Sequence, residues 1–360
     1  MNITIVYPYR NRPIKSIKNS LNSLRSQSVK NFNVLFIDYG SKESIAFEVK
    51  LLIDSYDFVS YTYLFTEFQP WNKSKAINYA LRNLIETPYF FVADIDMVFH
   101  SQFNTILISL IKQSPLRNVF FKVGFLDKDE IVINKDFDKI NIKKESNNEA
   151  TGLTLFHTES LKELQGFDEF YHFWGAEDTD VHVRLQAAGR EVYFYDTKIL
   201  LLHQWHPSYR SLERKRLTID PQLSGVVQLN HQHLKTAISQ KRTKVNGKYW
   251  GISVSQKEYF LLKNPIQRIT IFNKRPEIDH FLYFTIKQSN RTITEYHFLI
   301  DPDYGSLKQN TKKIIGKKVP LYYTLKEIND FLLSYLISTP SLLNYSYRVE
   351  PDLKSISLIF

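Results

Sequence analysis

Two aspartates one residue apart, Asp94 and Asp96, follow the apolar run Phe90-Phe91-Val92-Ala93. Carboxylates where a buried run leaves a core are costly unless paired, and a divalent cation is the simplest partner for two of them. A second apolar run, Ile199 to Leu202, ends at His203-Gln204-Trp205-His206. Two carboxylates with one or two neutral imidazoles and no thiolate suit Mn2+, and also accommodate Mg2+ or Zn2+. Solvated loop acids and structural histidines are the plain alternative for the same residues.

A third cluster is Trp174-Gly175-Ala176-Glu177-Asp178-Thr179-Asp180. Acids at a helix start are favoured by the dipole, and N-terminal capping alone accounts for Asp180. Tyr171, Phe173 and Trp174 stand directly before the acids. An aromatic face beside a carboxylate suits a sugar, and a carboxylate held beside a hydroxyl serves as general base. In Pro8-Tyr9-Arg10-Asn11-Arg12 the two arginines follow a strand, where they suit phosphate or base contacts or are simple surface charge. Asp38, before Tyr39-Gly40-Ser41, reads alone as an Asx-turn residue. Together the clusters supply a cation for a diphosphate leaving group, a base for a hydroxyl acceptor and a platform for a sugar ring.

The elements that must position these groups follow from periodicity. Strands are predicted at 3–7, 32–37, 61–65, 90–93, 119–125, 152–156, 191–195 and 199–202. Helices are predicted at 14–27, 45–53, 103–111 and 158–164, from the Trp71–Ser74 lead-in through Ala76 to Leu84 with a stop at Pro88, and from Asp178 to a stop at Gly189. This alternation implies a parallel sheet covered on both faces, with ligands at the carboxyl ends of its strands. Residues 127–149 read as a surface excursion, and 211–250 as helical and basic. Strands at 281–287 and 293–300 and a helix near 325–337 suggest a smaller α+β module.

The chain has 360 residues and no cysteine, which excludes disulfides, cysteine-ligated zinc, iron–sulfur clusters and thiol nucleophiles. Its net charge of +10 is unevenly placed: residues 210–360 carry 24 Lys+Arg against 12 Asp+Glu. Such localised charge favours an anionic membrane surface, a polyanionic glycan or nucleic acid, or merely keeps the surface soluble. No G-x-G pair and no phosphate-loop pattern occurs, so a nucleotide must be held another way. No signal peptide and no spanning helix is predicted, which implies a cytoplasmic location.

Four motifs in order resemble a known family. Tyr7-Pro8-Tyr9-Arg10-Asn11-Arg12 is similar to P-F-R-N-R, Trp71-Asn72-Lys73-Ser74-Lys75-Ala76 to F-N-R-A-K-L, Asp94-Ile95-Asp96 to D-V-D, and Trp174-Gly175-Ala176-Glu177-Asp178 to W-G-G-E-D. They resemble the metal-dependent GT-A glycosyltransferases of family 2 with a galactosyltransferase-like segment, such as the β-1,4-galactosyltransferases and bacterial chondroitin polymerase. The resemblance covers about residues 3–210. It implies an α/β fold, with a Rossmann-like nucleotide-diphospho-sugar transferase domain over 1–255; the basic α+β accessory module expected over 256–360 has no counterpart in the family.

It also implies roles. Pro8, Arg10, Arg12 and Asp38 would hold the uridine end of a UDP-sugar, with Lys75 and Trp174 also on the donor. Asp94 would face the ribose. Asp96 with His203, His206 or both would ligate Mn2+ or Mg2+. Glu177 would grip a glycan acceptor, Asp178 would act as base, and the anomeric carbon would invert. Ala176, in place of the second glycine, would slightly narrow its loop, and Glu149-Ala150-Thr151 do not match the aromatic that helps select the donor sugar. Peripheral association with an anionic membrane or polysaccharide through the basic part is expected, and nucleic acid is not. A metal-dependent phosphohydrolase or nuclease would leave Trp174–Asp178 without a task. A non-catalytic glycan-binding protein would not need both Asp96 and Asp178.

Overall fold

The computed structural model describes residues 2–130, 132, 135–207, 209, 215–288 and 292–360. The chain forms two compact units: Met1–Glu67 with Trp71–Ser208 and Val227–Ser253, and Phe68–Pro70 with Tyr209–Val226 and Val254–Phe360. The start of the predicted basic helical stretch, 211–214, lies outside the described residues.

In the first unit the strands are β1 (Ile3–Tyr9), β2 (Phe32–Asp38), β3 (Val59–Tyr63), β4 (Tyr89–Val92), β5 (Met97–Phe99), β6 (Asn118–Phe121), β7 (Val123–Phe125), β8 (Lys144–Glu145), β9 (Thr154–His157), β10 (Val192–Tyr195) and β11 (Leu201–His203). The helices are α1 (Ile14–Arg25), α2 (Glu43–Ile53), α3 (Lys73–Asn83), α4 (Phe103–Gln113), α5 (Thr158–Glu163), α6 (Glu177–Ala187) and α7 (Val226–Ser239).

The main sheet has the order β10-β6-β9-β4-β1-β2-β3. Its two faces are buried by different helices. Ile5, Phe36 and Phe91 pack with Leu21 of α1, Val49 of α2 and Phe103 of α4. Val6, Leu35, Phe90 and Val92 pack with Ala76, Ile77 and Ala80 of α3, Leu161 of α5 and Val181 and Leu185 of α6. The period of two along β4 thus feeds both cores, as a strand covered on both faces requires.

The sheet is mixed rather than wholly parallel. β9 runs antiparallel to both β4 and β6. It arrives through the long 127–149 excursion instead of a crossover helix, and only a crossover restores the parallel direction. That excursion also contributes β8 and the buried Ile140, so it is not surface throughout.

The predicted single strand 119–125 is two. Lys122 interrupts the apolar run and its N–H bonds the carbonyl of Tyr195, leaving β6 in the main sheet while β7 joins a second sheet of order β5-β11-β7-β8. In that second sheet β11 pairs antiparallel with β5, placing His203 opposite Met97.

Among the described residues of 211–250 the helix is α7. Pro221 and Gly225 precede it and Gly247 follows it, residues that favour turns over helix.

The second unit contains α8 (Gln256–Lys263), β12 (Gln267–Phe272), α9 (Arg275–Tyr283), β13 (Thr294–Leu299), α10 (Leu307–Ile314), α11 (Leu325–Ser338), β14 (Ser346–Val349) and β15 (Ser355–Ile359). Its sheet has the order β12-β13-β15-β14. The predicted strand at 281–287 is instead the end of α9 and a short 3-10 turn, Thr285–Lys287. Pro276 in the first turn and buried Ile278 and Phe281 at helical spacing outweigh the local aromatic bias toward a strand. No helix among the described residues is long and apolar enough to cross a membrane.

Candidate active site and metal centre

Asp94 and Asp96 lie on the short link between β4 and β5. The antiparallel pairing of β5 with β11 carries Asp96 to the histidines more than a hundred residues away. Nε2 of His203 stands 3.7 Å from Oδ1 of Asp96, and Nε2 of His206 stands 3.2 Å from Oδ2. The three ligand atoms lie within 4.8 Å of one another. Asp96 is only 6% exposed, and its Oδ1 is buried without a hydrogen-bond partner. An orphaned carboxylate oxygen facing imidazole nitrogens fits a divalent cation.

The surroundings hold the ligands in place. Nδ1 of His206 lies 2.8 Å from the carbonyl oxygen of Pro207, which favours Nε2 as the ligand nitrogen. Gln204 bonds the carbonyl of Asp96 through its backbone N–H at 3.0 Å. Its side-chain amide is fixed by Asn19 at 2.7 Å and by the carbonyl of Ser16 at 3.2 Å. Gln204 and Asn19 carried no sequence signal of this role.

A second acidic group gathers around Lys73 at the start of α3. Its Nζ stands 3.3 Å from Asp94, 3.3 Å from Asp178 and 3.8 Å from Glu177. Asn72 caps α3 by accepting from the N–H of Lys75 at 2.8 Å and donates to the carbonyl of Glu169, tying this turn to the segment before α6. Burial alone would lower the Lys73 pKa, but Asp178, Asp94 and Glu177 outweigh it and hold the ammonium above its usual range. Lys73 lies inside one of the matched motifs, yet nothing in its spacing marked it as the hub.

The three acids respond differently. Burial pushes Glu177 up to about 7, with the adjacent Asp178 adding to the rise and Lys73 opposing it. Burial likewise raises Asp178, with Lys73 opposing and Asp94 reinforcing. Burial would raise Asp94 too, but Lys73, His203 and Arg12 outweigh it and keep Asp94 below the ordinary carboxylate range. One carboxylate thus stays ionised beside two whose protons are held more tightly.

The other predicted residues take distinct places. Pro8 lies within β1, and Tyr9 pairs with Asp38 across the sheet. Asp38 is fully buried, accepting from the Ser41 N–H and the Tyr61 hydroxyl, both at 2.7 Å, and burial raises its pKa. Arg10 donates to the carbonyls of Thr66 and Glu67, while Arg12 is exposed. Lys75 is buried on α3, and burial lowers its pKa against the opposing charge of Glu169. Trp174 is 43% exposed. The distances join Asp94, Lys73, Glu177 and Asp178 in one group and Asp96, His203 and His206 in another, with Asp94-Ile95-Asp96 linking them.

One expectation needs correction. Asp180 is not a cap. It is fully buried, and its Oδ2 accepts from Nε of the equally buried Arg184 at 2.7 Å, because the i,i+4 spacing points both inward. Ala176 sits at φ +72°, in the left-handed region that glycine occupies without penalty.

The glycosyl transferase family 2 model matches residues 4–160, and the model for the N-terminal domain of galactosyltransferase matches residues 133–206. The structure of S. aureus TarS 1-349 is 16% identical, with a TM-score of 0.44, over 57% of this chain and 60% of that one. The structure of GalNAc-T7 with UDP, GalNAc and Mn2+ is 11% identical, with a TM-score of 0.53, over 73% of this chain and 51% of that one. The chain therefore spans less than two thirds of the length of these solved relatives. No curated protein sequence matches it.

The fold is that of the GT-A glycosyltransferases. The chain is similar to glycosyl transferase family 2 over residues 4–160 and to the galactosyltransferase N-terminal domain over residues 133–206.

Proposed function

We propose that this protein is an inverting glycosyltransferase that moves a hexose or N-acetylhexosamine from a UDP-sugar to a sugar hydroxyl, with Mn2+ as cofactor and Mg2+ as substitute, in synthesis of a surface polysaccharide or related glycan. The observation that carries this reading is the pairing of two groups through Asp94-Ile95-Asp96. One is an acid–imidazole triad with an orphaned oxygen; the other is a carboxylate pair, Glu177 and Asp178, beside a shared ammonium. That UDP and Mn2+ accompany a relative of the same fold is consistent with it.

In this reading Asp96 with His203 and His206 holds the cation, which when bound supplies Lewis-acid stabilisation to a departing diphosphate. Pro8, Arg10, Arg12 and Asp38 form the nucleoside end, Lys75 and Trp174 complete the donor side, and Asp94 faces the ribose. Glu177 grips the acceptor sugar. Asp178 takes the proton of the acceptor hydroxyl as that oxygen bonds to the anomeric carbon and the bond to UDP breaks. Attack opposite the leaving group inverts the carbon. The basic C-terminal half meets an anionic membrane or polysaccharide from the cytoplasmic side.

A screen of UDP-sugars for Mn2+-dependent hydrolysis without acceptor tests the assignment and identifies the donor. Release of UDP from one sugar class, stopped by chelation, is the expected result. Cleavage of simple phosphate esters or nucleic acid in place of UDP-sugars would assign the triad to a phosphohydrolase instead.

A further inference from the structure

We propose that α10 is the element that seats the second unit on an anionic lipid bilayer. This rests on the membrane reading of the basic half given above and selects the lipid surface over a polysaccharide.

The helix is inverted relative to an ordinary surface helix, which buries its apolar face. Leu307 is 87% exposed and Ile314 is 85% exposed. Seven residues apart, they share one face, with Thr311 between them. Ile315, directly after the helix, is also exposed. The residue turned inward is Gln309, which is buried and accepts from the Gly305 N–H at 2.8 Å.

Charge borders this apolar face. Lys308 and Lys312 lie along one side of it, and Gly316 at φ +70° follows the helix so that exposed Lys317 and Lys318 come at once. No aspartate or glutamate occurs from Tyr304 to Lys326. Asp303, just before this stretch, pairs with Lys308 at 3.2 Å. A polysaccharide would pair with the lysines but has no use for solvent-facing leucine and isoleucine. A bilayer satisfies both: the apolar side chains enter the headgroup boundary and the ammonium groups meet lipid phosphates. A helix this short gives reversible, peripheral attachment.

The test is co-sedimentation of the full chain with vesicles of phosphatidylcholine alone or mixed with phosphatidylglycerol, at low and high salt. The wild type is expected to sediment only with the anionic vesicles and to be released by salt. Leu307→Ser with Ile314→Ser should weaken partitioning by at least about tenfold. Lys317→Gln and Lys318→Gln should each weaken it by about fivefold. These positions are exposed, so the variants are expected to fold, which circular dichroism checks. Unchanged binding of the serine double variant would overturn the assignment to α10 while leaving the membrane reading intact. Absence of wild-type binding to anionic vesicles would overturn both. A shift from dimer to monomer in the serine variant, with vesicle binding unchanged, would make the face a contact between copies and overturn the proposal. UDP-sugar hydrolysis is a separate measurement and is expected to be unaffected.

Discussion

Two acidic groups stand one residue apart in this chain and solve the same electrostatic problem differently. Around Asp94 the protein supplies its own cation: Lys73 approaches three carboxylates. Around Asp96 it supplies imidazoles and leaves Oδ1 buried without a partner. The first group shares one ammonium among three carboxylates, and its acids differ in proton affinity, which suits proton transfer. The second is complete only with a cation, which suits binding of a phosphate-bearing ligand. Chemistry that needs both a base and a Lewis acid can thus be divided between neighbours on one short link. Asp180 and Arg184 form a third, fully sealed pair that serves as a structural control for both.

The sharpest way to break this comparison is Asp178→Asn. Sugar transfer is expected to fall by about 10^2- to 10^4-fold, while UDP binding measured by calorimetry stays near wild type. Equal loss of both would remove the division of labour. Arg184→Ala should cost about 3–5 kcal/mol of stability, because it leaves Asp180 buried and unpaired. Chemical denaturation reads this, and a marginal change would show that the sealed pair is no different in kind from the open groups.

Asp96→Ala should weaken Mn2+-dependent UDP affinity by at least about a hundredfold. Indifference of the variant and the wild type alike to Mn2+ titration would leave the triad as an ordinary ion-pair cluster. Lys73→Met should act on pH rather than on metal. Lys73 holds Glu177 and Asp178 down, so its loss raises both, and the rise of activity with pH should move upward by about one to three pH units. A profile that stays in place would deny Lys73 its part in setting the base. The smallest effect is Ala176→Gly, which relieves a left-handed alanine and should stabilise by up to about 1 kcal/mol.

Much of this was legible in the sequence. The β4 run, the helical spacing of Val181 and Leu185, and the positions of Asp96, His203 and His206 at strand ends all emerge from periodicity and residue type. What escaped was non-local. The reversed direction of β9 depends on how a loop returns, not on the strand's own residues. The split at Lys122 depends on Tyr195, far along the chain, accepting its N–H. Lys73 stood in its motif with no role of its own, since only the fold places three acids around it. Asp180 read as a cap because the inward turn of Arg184 is invisible until α6 is packed. In 281–287 local aromatic preference pointed to a strand, and the buried partners of Ile278 and Phe281 decided otherwise.

The antiparallel pairing of β5 with β11 also sets an order of assembly during synthesis. Asp94 and Asp96 leave the ribosome roughly a hundred residues before either imidazole exists. A nascent chain ending short of β11 already owns the central strand and both aspartates, yet lacks the two imidazoles that stand beside Asp96. On the proposed reading, the capacity of this triad to hold a cation therefore arrives late and all at once.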